Sequence, residues 1–317
     1  MRVLITDCDH GFYDPEQDVA RDRGVDLQLA EGDPEAILSL GAGADALLCQ
    51  YVRVDAALLD RLPGCRVIGR YGVGLDNIDL DAARERGRIV VNVPDFCVDE
   101  VADHAMALAL GVTRRVALLD REWRADPAAY NAQWVDRFDV LDGVERPSKQ
   151  RFGLVGFGRT GRAVAHRAAV FGFEIAAHDP FVSAGDVAAE GALALELDEL
   201  LATSHVVSLH LPLTEDTARL IDAERLARMP EKSVIVNTAR GALVDQDALP
   251  AALRAGRPGF AALDVFQDEP LPADSPLWDL PNAVLTPHIA FFSRTSILDL
   301  KRRAMTAVVD AAQSAAA

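Results

Sequence analysis

The stretch LVGFGRTGRAVAHRAAVFG, residues 154–172, restricts the folds open to this chain more than any other. An apolar run ends in Gly156, Gly158 and Gly161, in the spacing G-x-G-x-x-G, and a helical pattern begins at once. A second apolar run, FEIAAHDP, follows and carries Asp179, twenty-three residues beyond Gly156. Strand, tight turn, helix and strand in that order form a βαβ unit. Its strands lie parallel, and its sheet is covered on both faces.

The three glycines have separate tasks. The first permits the turn, the second lets a pyrophosphate approach the backbone, and the third lets the helix pack on the strand. The helix start, with Thr160 inside the loop, offers free N–H groups and a positive dipole end to phosphate. Arg159 either bridges the pyrophosphate or is a solvated helix-start residue. Asp179 either accepts hydrogen bonds from the ribose hydroxyls of adenosine or merely closes the turn before Pro180. In the first role it repels a 2′-phosphate, so the expected cofactor is NAD rather than NADP.

The same alternation runs through the chain. RVLITD, DLQLA, ADALLC, CRVIGRYG and RIVVNVP read as strands in the first third, separated by helical stretches such as VDAALLDRLP and DLDAARERG. From Val98 to about Arg124 runs one long helical pattern, broken or bent near Gly111. A polar segment without strong periodicity, ADPAAYNAQWVDRFDVLDGVERPSKQ, follows it. A second series then carries strands at RFGLVGFG, FEIAAHD, HVVSLHLP, SVIVNTA, GFAALDVF and AVLTPH. The final helix, TSILDLKRRAMTAVVDAAQ, is placed to cross back to the first series. The fold class is α/β, with two parallel sheets.

Composition narrows the partners. The 317 residues carry 32 Lys and Arg against 49 Asp and Glu, a formal charge of −17. Phosphate-backbone binding needs clustered cations, so direct nucleic-acid contact is not expected. Cys8, Cys49, Cys65 and Cys97 are scattered, with neither a CxxC pair nor zinc spacing, and no metal is expected. MRVLITDCD enters a strand without a signal-peptide pattern, and no apolar run reaches membrane-spanning length. A reducing, cytoplasmic setting without membrane attachment is the expectation.

Chemistry concentrates at strand ends. SVIVNTARGALVD runs as a buried strand into Arg240; Glu269 follows GFAALDVF in QDEP; His288 ends AVLTPH. Ligands of open α/β sheets sit outside the carboxyl ends of the strands. These three residue types suit hydride transfer to a 2-keto acid. Histidine supplies the proton for the carbonyl oxygen, and a carboxylate favours its charged form. Arginine grips the substrate's carboxylate. His210, in SLHLP, also ends a strand, but its apolar flanks point to cofactor packing or a structural role, leaving His288 as the acid.

Together GFGRTG, HDPF, NTARGALVD, ALDVFQDEP and TPHIA resemble the D-2-hydroxyacid dehydrogenase family, and the likeness covers nearly the whole chain. It implies two Rossmann-like, doubly wound parallel-sheet domains, an active site in the cleft between them, and a homodimer. The substrate domain is expected as residues 1–98 plus 289–317, and the NAD-binding domain as 99–288. Carried over by motif, Arg240 binds substrate, Glu269 partners the histidine and His288 is the acid/base. Thr238, Ala239 and Asp264 line the nicotinamide side, with Asp264 holding the carboxamide or ring-nitrogen region. In GRYGVG, the N–H groups of Tyr71, Gly72, Val73 and Gly74 form an anion nest for the carboxylate, and Arg70 faces the substrate.

Within the family, VPDFCVDEVADH, FGFEIAAHDPFVSAG, VNTARGALVD and PHIAFFS are most similar to the C-terminal binding protein branch, NAD-linked corepressors and their bacterial relatives. The chain departs at Phe291, where that branch has Trp. The pair Phe291-Phe292 leaves an aromatic wall suited to an apolar or aromatic tail. Glu269 stands where formate dehydrogenases need Gln, which argues against formate. A regulatory domain of the kind carried by long phosphoglycerate dehydrogenases is not expected, since the sequence ends soon after its last helix. The expected function is NAD-dependent interconversion of a D-2-hydroxy acid and its 2-keto acid. The alternatives are an NAD(H)-responsive, corepressor-like scaffold with weak activity, and a biosynthetic reductase whose substrate bears a phosphonate, which Arg70 and Arg240 would equally suit.

Overall fold

A computed structural model describes residues 1–132 and 143–315. Part of the polar segment after the long helix thus lies outside the described residues. The chain divides into two compact units, Met1–Cys97 with Phe292–Ala317, and Val98–Phe291.

In the first unit the order is β1 (Arg2–Ile5), α1 (Asp14–Arg23), β2 (Asp26–Leu29), α2 (Pro34–Gly41), β3 (Ala46–Cys49), α3 (Ala56–Arg61), β4 (Val67–Arg70), α4 (Leu80–Glu85) and β5 (Ile89–Val91). Its sheet runs β2-β1-β3-β4-β5, all parallel. The strand order reverses between β1 and β3, which makes that edge the switch point of the sheet. Asp33, Asp55 and Asp79 cap the starts of α2, α3 and α4, each accepting a backbone N–H of the first turn. All four residues of β3 are buried, because helices cover both faces.

The second unit opens with α5 (Val98–Thr113), α6 (Val116–Ala125) and α7 (Pro127–Ala132). Then come β6 (Arg151–Val155), α8 (Arg159–Val170), β7 (Glu174–His178), α9 (Ala184–Ala189), β8 (Leu193–Ala194), α10 (Leu197–Thr203) and β9 (Val206–Leu209). The series closes with α11 (Ala223–Arg228), β10 (Val234–Asn237), α12 (Leu249–Arg254), β11 (Phe260–Leu263) and β12 (Ala283–Leu285). The parallel sheet is ordered β12-β11-β10-β9-β6-β7-β8, with its reversal between β6 and β9. The loop after β6 therefore sits at the switch point. Small residues on α5 (Ala102, Ala105, Ala109) and on α8 (Ala165, Ala168) share one core with Phe152 and Phe173.

The last helix, α13 (Arg294–Ser314), belongs to the first unit. Ser293 and Ser296 form a reciprocal capping box at its start. Leu300, Ala304, Met305, Val308 and Val309 bury against Val3, Ile5, Leu48 and Val67. No helix among the described residues is long and apolar enough to cross a membrane.

One expectation shifts. The long helix breaks not at Gly111 but at Arg115, which takes φ +60° between α5 and α6. Its guanidinium lies 3.5 Å from the centroid of the Phe260 ring and is almost fully buried. A tertiary cation–π anchor sets the break, while Gly111 is accommodated inside the helix.

Candidate active site

The glycine loop is built by contacts that only glycine allows. Gly156 takes φ +93°, and a Cβ there would lie 2.3 Å from the carbonyl oxygen of His210. The side of Gly158 opens into free space, and Gly158 caps α8 without a side-chain hydrogen bond. The N–H groups of Arg159 and Thr160 find no acceptor among the described residues. Asp179 stands at the end of β7, half-buried. Its Oδ2 accepts the N–H of Phe157 at 2.8 Å and its Oδ1 that of Phe181 at 2.9 Å. Each oxygen keeps a further lone pair for a diol. An uncapped helix start, a side-chain-free approach and a placed carboxylate fit a dinucleotide.

His210 forms the floor of this loop. Burial pushes its imidazole down to about 4, and its Nε2 lies 2.8 Å from Ser208 Oγ. A neutral ring packed there supports the loop and carries no charge at neutral pH.

Beyond β10, the buried Asn237 folds the next turn. Its Oδ1 accepts the N–H of Ala239 at 3.0 Å, and its Nδ2 donates to the carbonyl of Arg240 at 2.8 Å. Thr238 Oγ1 is buried without a hydrogen-bond partner among the described residues, an orphaned group that a bound ligand would satisfy. Arg240 is half-buried, and its Nη1 donates to the Ala239 carbonyl at 2.7 Å, which fixes the fork.

Glu269 and His288 meet as a pair. Glu269 Oε2 lies 2.6 Å from His288 Nδ1, and Oε1 accepts the N–H of Phe266 at 2.9 Å. Burial pushes the Glu269 carboxyl up. The His288 bond, the Phe266 N–H and the charges of His288 and Arg240 outweigh it and hold it below the usual range. His288 Nε2 makes no hydrogen bond to any described residue, and the side chain is exposed. The Phe291 ring meets the imidazole edge-on at 6.0 Å between centroids.

His288 sits at φ +52°, a conformation that costs a non-glycine residue energy. Its N–H is held by the carbonyls of Asp264 at 2.7 Å and Thr286 at 3.1 Å. The wholly buried Asp264 carboxylate accepts Thr286 Oγ1 at 2.5 Å and the N–H groups of Ile289 and Ala290 at 3.0 and 2.8 Å. Burial pushes this carboxyl up too, but its donors, His104 among them, hold it down. Both oxygens thus help hold the loop that carries His288, and Oδ2, with a single donor, keeps a further lone pair. His104, on α5, lies 3.0 Å by Nε2 from Thr286 Oγ1 and 3.4 Å from Asp264 Oδ1. Sequence reasoning missed His104 and Thr286; the one hint was a histidine directly before the apolar run AMALALGV.

The GRYGVG loop lies in the first unit. One expectation is corrected there. The Tyr71 N–H donates to the Cys49 carbonyl at 2.8 Å, and so cannot join an anion nest. Its ring is buried. The N–H groups of Gly72, Val73 and Gly74 have no acceptor among the described residues, and Arg70 lies half-buried against Gly72.

The sequence profile of the family described as "D-isomer specific 2-hydroxyacid dehydrogenase, NAD binding domain" matches residues 106–290. The D-3-phosphoglycerate dehydrogenase of Mycobacterium leprae is 40% identical over 295 residues, 92% of this chain and 53% of the relative. This chain thus spans about half the length of that relative. The (S)-sulfolactate dehydrogenase of Chromohalobacter salexigens is 42% identical over 276 residues, 86% of each chain. Among solved structures, the D-lactate dehydrogenase of Aquifex aeolicus complexed with NAD and lactic acid superposes with a TM-score of 0.85 at 25% identity, covering 99% of this chain and 96% of the other.

Proposed function

Because this chain belongs to the D-isomer specific 2-hydroxyacid dehydrogenase family and carries its NAD-binding domain, we propose that it interconverts a D-2-hydroxy acid and the matching 2-keto acid. NAD, when bound, accepts or donates the hydride. The Glu269–His288 contact of 2.6 Å, with His288 Nε2 left open, is the observation that carries this reading.

In reduction, His288 Nε2 gives a proton to the carbonyl oxygen as it becomes a hydroxyl, and in oxidation it takes that proton back. Glu269 keeps Nδ1 engaged, which turns Nε2 outward and balances the charge that imidazole gains. Arg240 holds the carboxylate and draws electron density toward the carbonyl oxygen. Within the first unit, the free N–H groups of Gly72–Gly74 are proposed as donors to a carboxylate. Gly156, Gly158, Arg159, Thr160, Gly161 and Asp179 hold the adenosine and pyrophosphate end, with Thr238 and Ala239 beside the nicotinamide. The narrower likeness to C-terminal binding proteins enters as a proposal on the tail: Phe291 favours an apolar or aromatic one. A homodimer is proposed from the family resemblance, to be checked by light scattering.

The test is loss of NADH fluorescence with glyoxylate, hydroxypyruvate, 4-methylthio-2-oxobutyrate and phenylpyruvate. D-3-phosphoglycerate and (S)-sulfolactate are added with NAD for the oxidative direction. Turnover of at least one member is expected, fastest with an apolar tail. Folded, NADH-bound protein that converts none of them would sink the proposal.

A further inference from the structure

At the base of the Gly72–Gly74 turn lies a buried polar cluster that the proposed chemistry does not use. Lys301 on α13 and Glu16 on α1 are both wholly buried, with Nζ 2.9 Å from Oε1. The same Oε1 accepts the phenol of Tyr71 at 2.5 Å. Lys301 Nζ also lies 3.2 Å from Cys8 Sγ, and 4.9, 5.0 and 5.4 Å from the rings of Phe12, Tyr13 and Tyr71. The cluster ties together the exit of β1, the start of α1, the exit of β4 and the last helix.

As a source of stability this arrangement is poor. Desolvating an ammonium and a carboxylate costs about what their attraction returns, and an apolar cluster of similar volume would hold as well. Glu16 Oε2 is buried without a donor among the described residues, so the cluster is not fully satisfied. What it does supply is direction. Tyr71 is tied by its N–H to Cys49 and by its hydroxyl to Glu16. The turn starts at the next residue. There Gly72 takes φ +132°, with Arg70 so close that a Cβ would lie 1.8 Å from Nη1. A small rotation of Tyr71 would re-aim all three N–H groups.

We infer that Lys301, Glu16 and Tyr71 are positioning residues that hold the N–H groups of Gly72–Gly74 in place for the substrate's carboxylate. This rests on the 2-keto acid reading above. Lys301→Met, Glu16→Gln and the apolar double variant Glu16→Leu/Lys301→Met are assayed as full-length protein with NADH and the best keto acid of the panel. Oxalate binding to the NADH-loaded protein is measured beside them by calorimetry. KM and the oxalate Kd rise together by roughly tenfold, as expected of a misplaced binding group. kcat stays within about twofold, and the NADH Kd is unchanged. The double variant, free of unpaired charge, keeps its Tm and still shows the raised KM. Tyr71→Phe, which deletes only the hydroxyl, reproduces the KM rise.

Unchanged KM and oxalate affinity in the folded double variant would overturn the inference, as would a fall in kcat alone. Wild-type protein that neither turns over a keto acid nor binds oxalate would defeat the functional reading, and this inference with it. Wild-type activity matched by the variants would defeat this inference alone.

Discussion

His288 Nδ1 and Glu269 Oε2 stand 2.6 Å apart, although the two residues come from the ends of different strands, nineteen positions apart in sequence. The folded Glu269 carboxyl lies below its ordinary value of 4.5, so it is ionised throughout the neutral range. Glu269→Gln keeps the shape and removes the charge. It lowers kcat by about 10²–10³-fold, within the range general acid–base catalysis provides, while NADH affinity holds. The sign of the stability effect follows from the depressed carboxyl. Its contribution is present above the unfolded value and lost as pH falls through the folded one. The Gln variant therefore shows a shallower loss of Tm on the acid side. An unchanged kcat in this variant would move the acid/base elsewhere.

Arg240 is oriented before any substrate arrives, by its bond to the Ala239 carbonyl and by Asn237 beneath the turn. Arg240→Lys keeps the charge and loses the planar fork. It is expected to cut kcat/KM by roughly 100-fold, from lost bidentate contact, with NADH binding unaffected. Near-normal kcat/KM with lysine would reduce Arg240 to a point charge.

The parallel sheets were legible because their inner strands, such as β3 and β10, are buried on both faces and read as apolar runs. β8 was not, being two exposed residues at a sheet edge without a pattern of their own. The helix break was misplaced because Gly111 is a local signal, whereas Arg115 is fixed by Phe260, far along the chain. The chemical side chains at strand ends stood out for the same reason in reverse: polar groups terminating apolar runs are conspicuous. Their supports were hidden. His104 acts on Thr286 across 182 positions, a relation no local periodicity encodes. The Tyr71 N–H looked free only because its acceptor, the Cys49 carbonyl, lies on a neighbouring strand.

Asp179 holds two backbone N–H groups and presents negative charge at the end of β7. Asp179→Ser removes that charge. The NADH Kd rises about tenfold with the lost ribose bonds, and NADPH gains relative to NADH. Titration of both cofactors by fluorescence checks this; an unchanged preference would place discrimination outside Asp179.

His210, with its folded value near 4 against 6.5 for an ordinary histidine, binds a proton far more readily when unfolded. A depressed histidine therefore removes stability as pH falls from 6.5 toward 4 and adds none above that window. His210→Gln removes the titration. The variant loses about 1 kcal/mol at pH 7 with the Ser208 bond, yet its Tm falls less steeply between those limits. Parallel Tm–pH curves for the two proteins would show that His210 is not held neutral.

Asp264 is the buried centre of the His288 loop, and its effect on catalysis is separable from the loop's stability. Asp264→Asn keeps one acceptor but turns the other oxygen into an NH₂ that faces the N–H groups of Ile289 or Ala290. The expected cost is about 2–3 kcal/mol of stability, with kcat lowered because His288 is no longer held at its positive φ. His104→Gln is the milder change: it withdraws the ring whose Nε2 lies 3.0 Å from Thr286 Oγ1 and 3.4 Å from Asp264 Oδ1. It is expected to leave Tm nearly unchanged, because a single half-buried hydrogen bond contributes about 1 kcal/mol. Its kcat should fall several-fold with KM unmoved, since Asp264 loses the partner that keeps it aimed at the loop. A variant with both kcat and Tm intact would mean that the Asp264 bonds alone suffice to present His288.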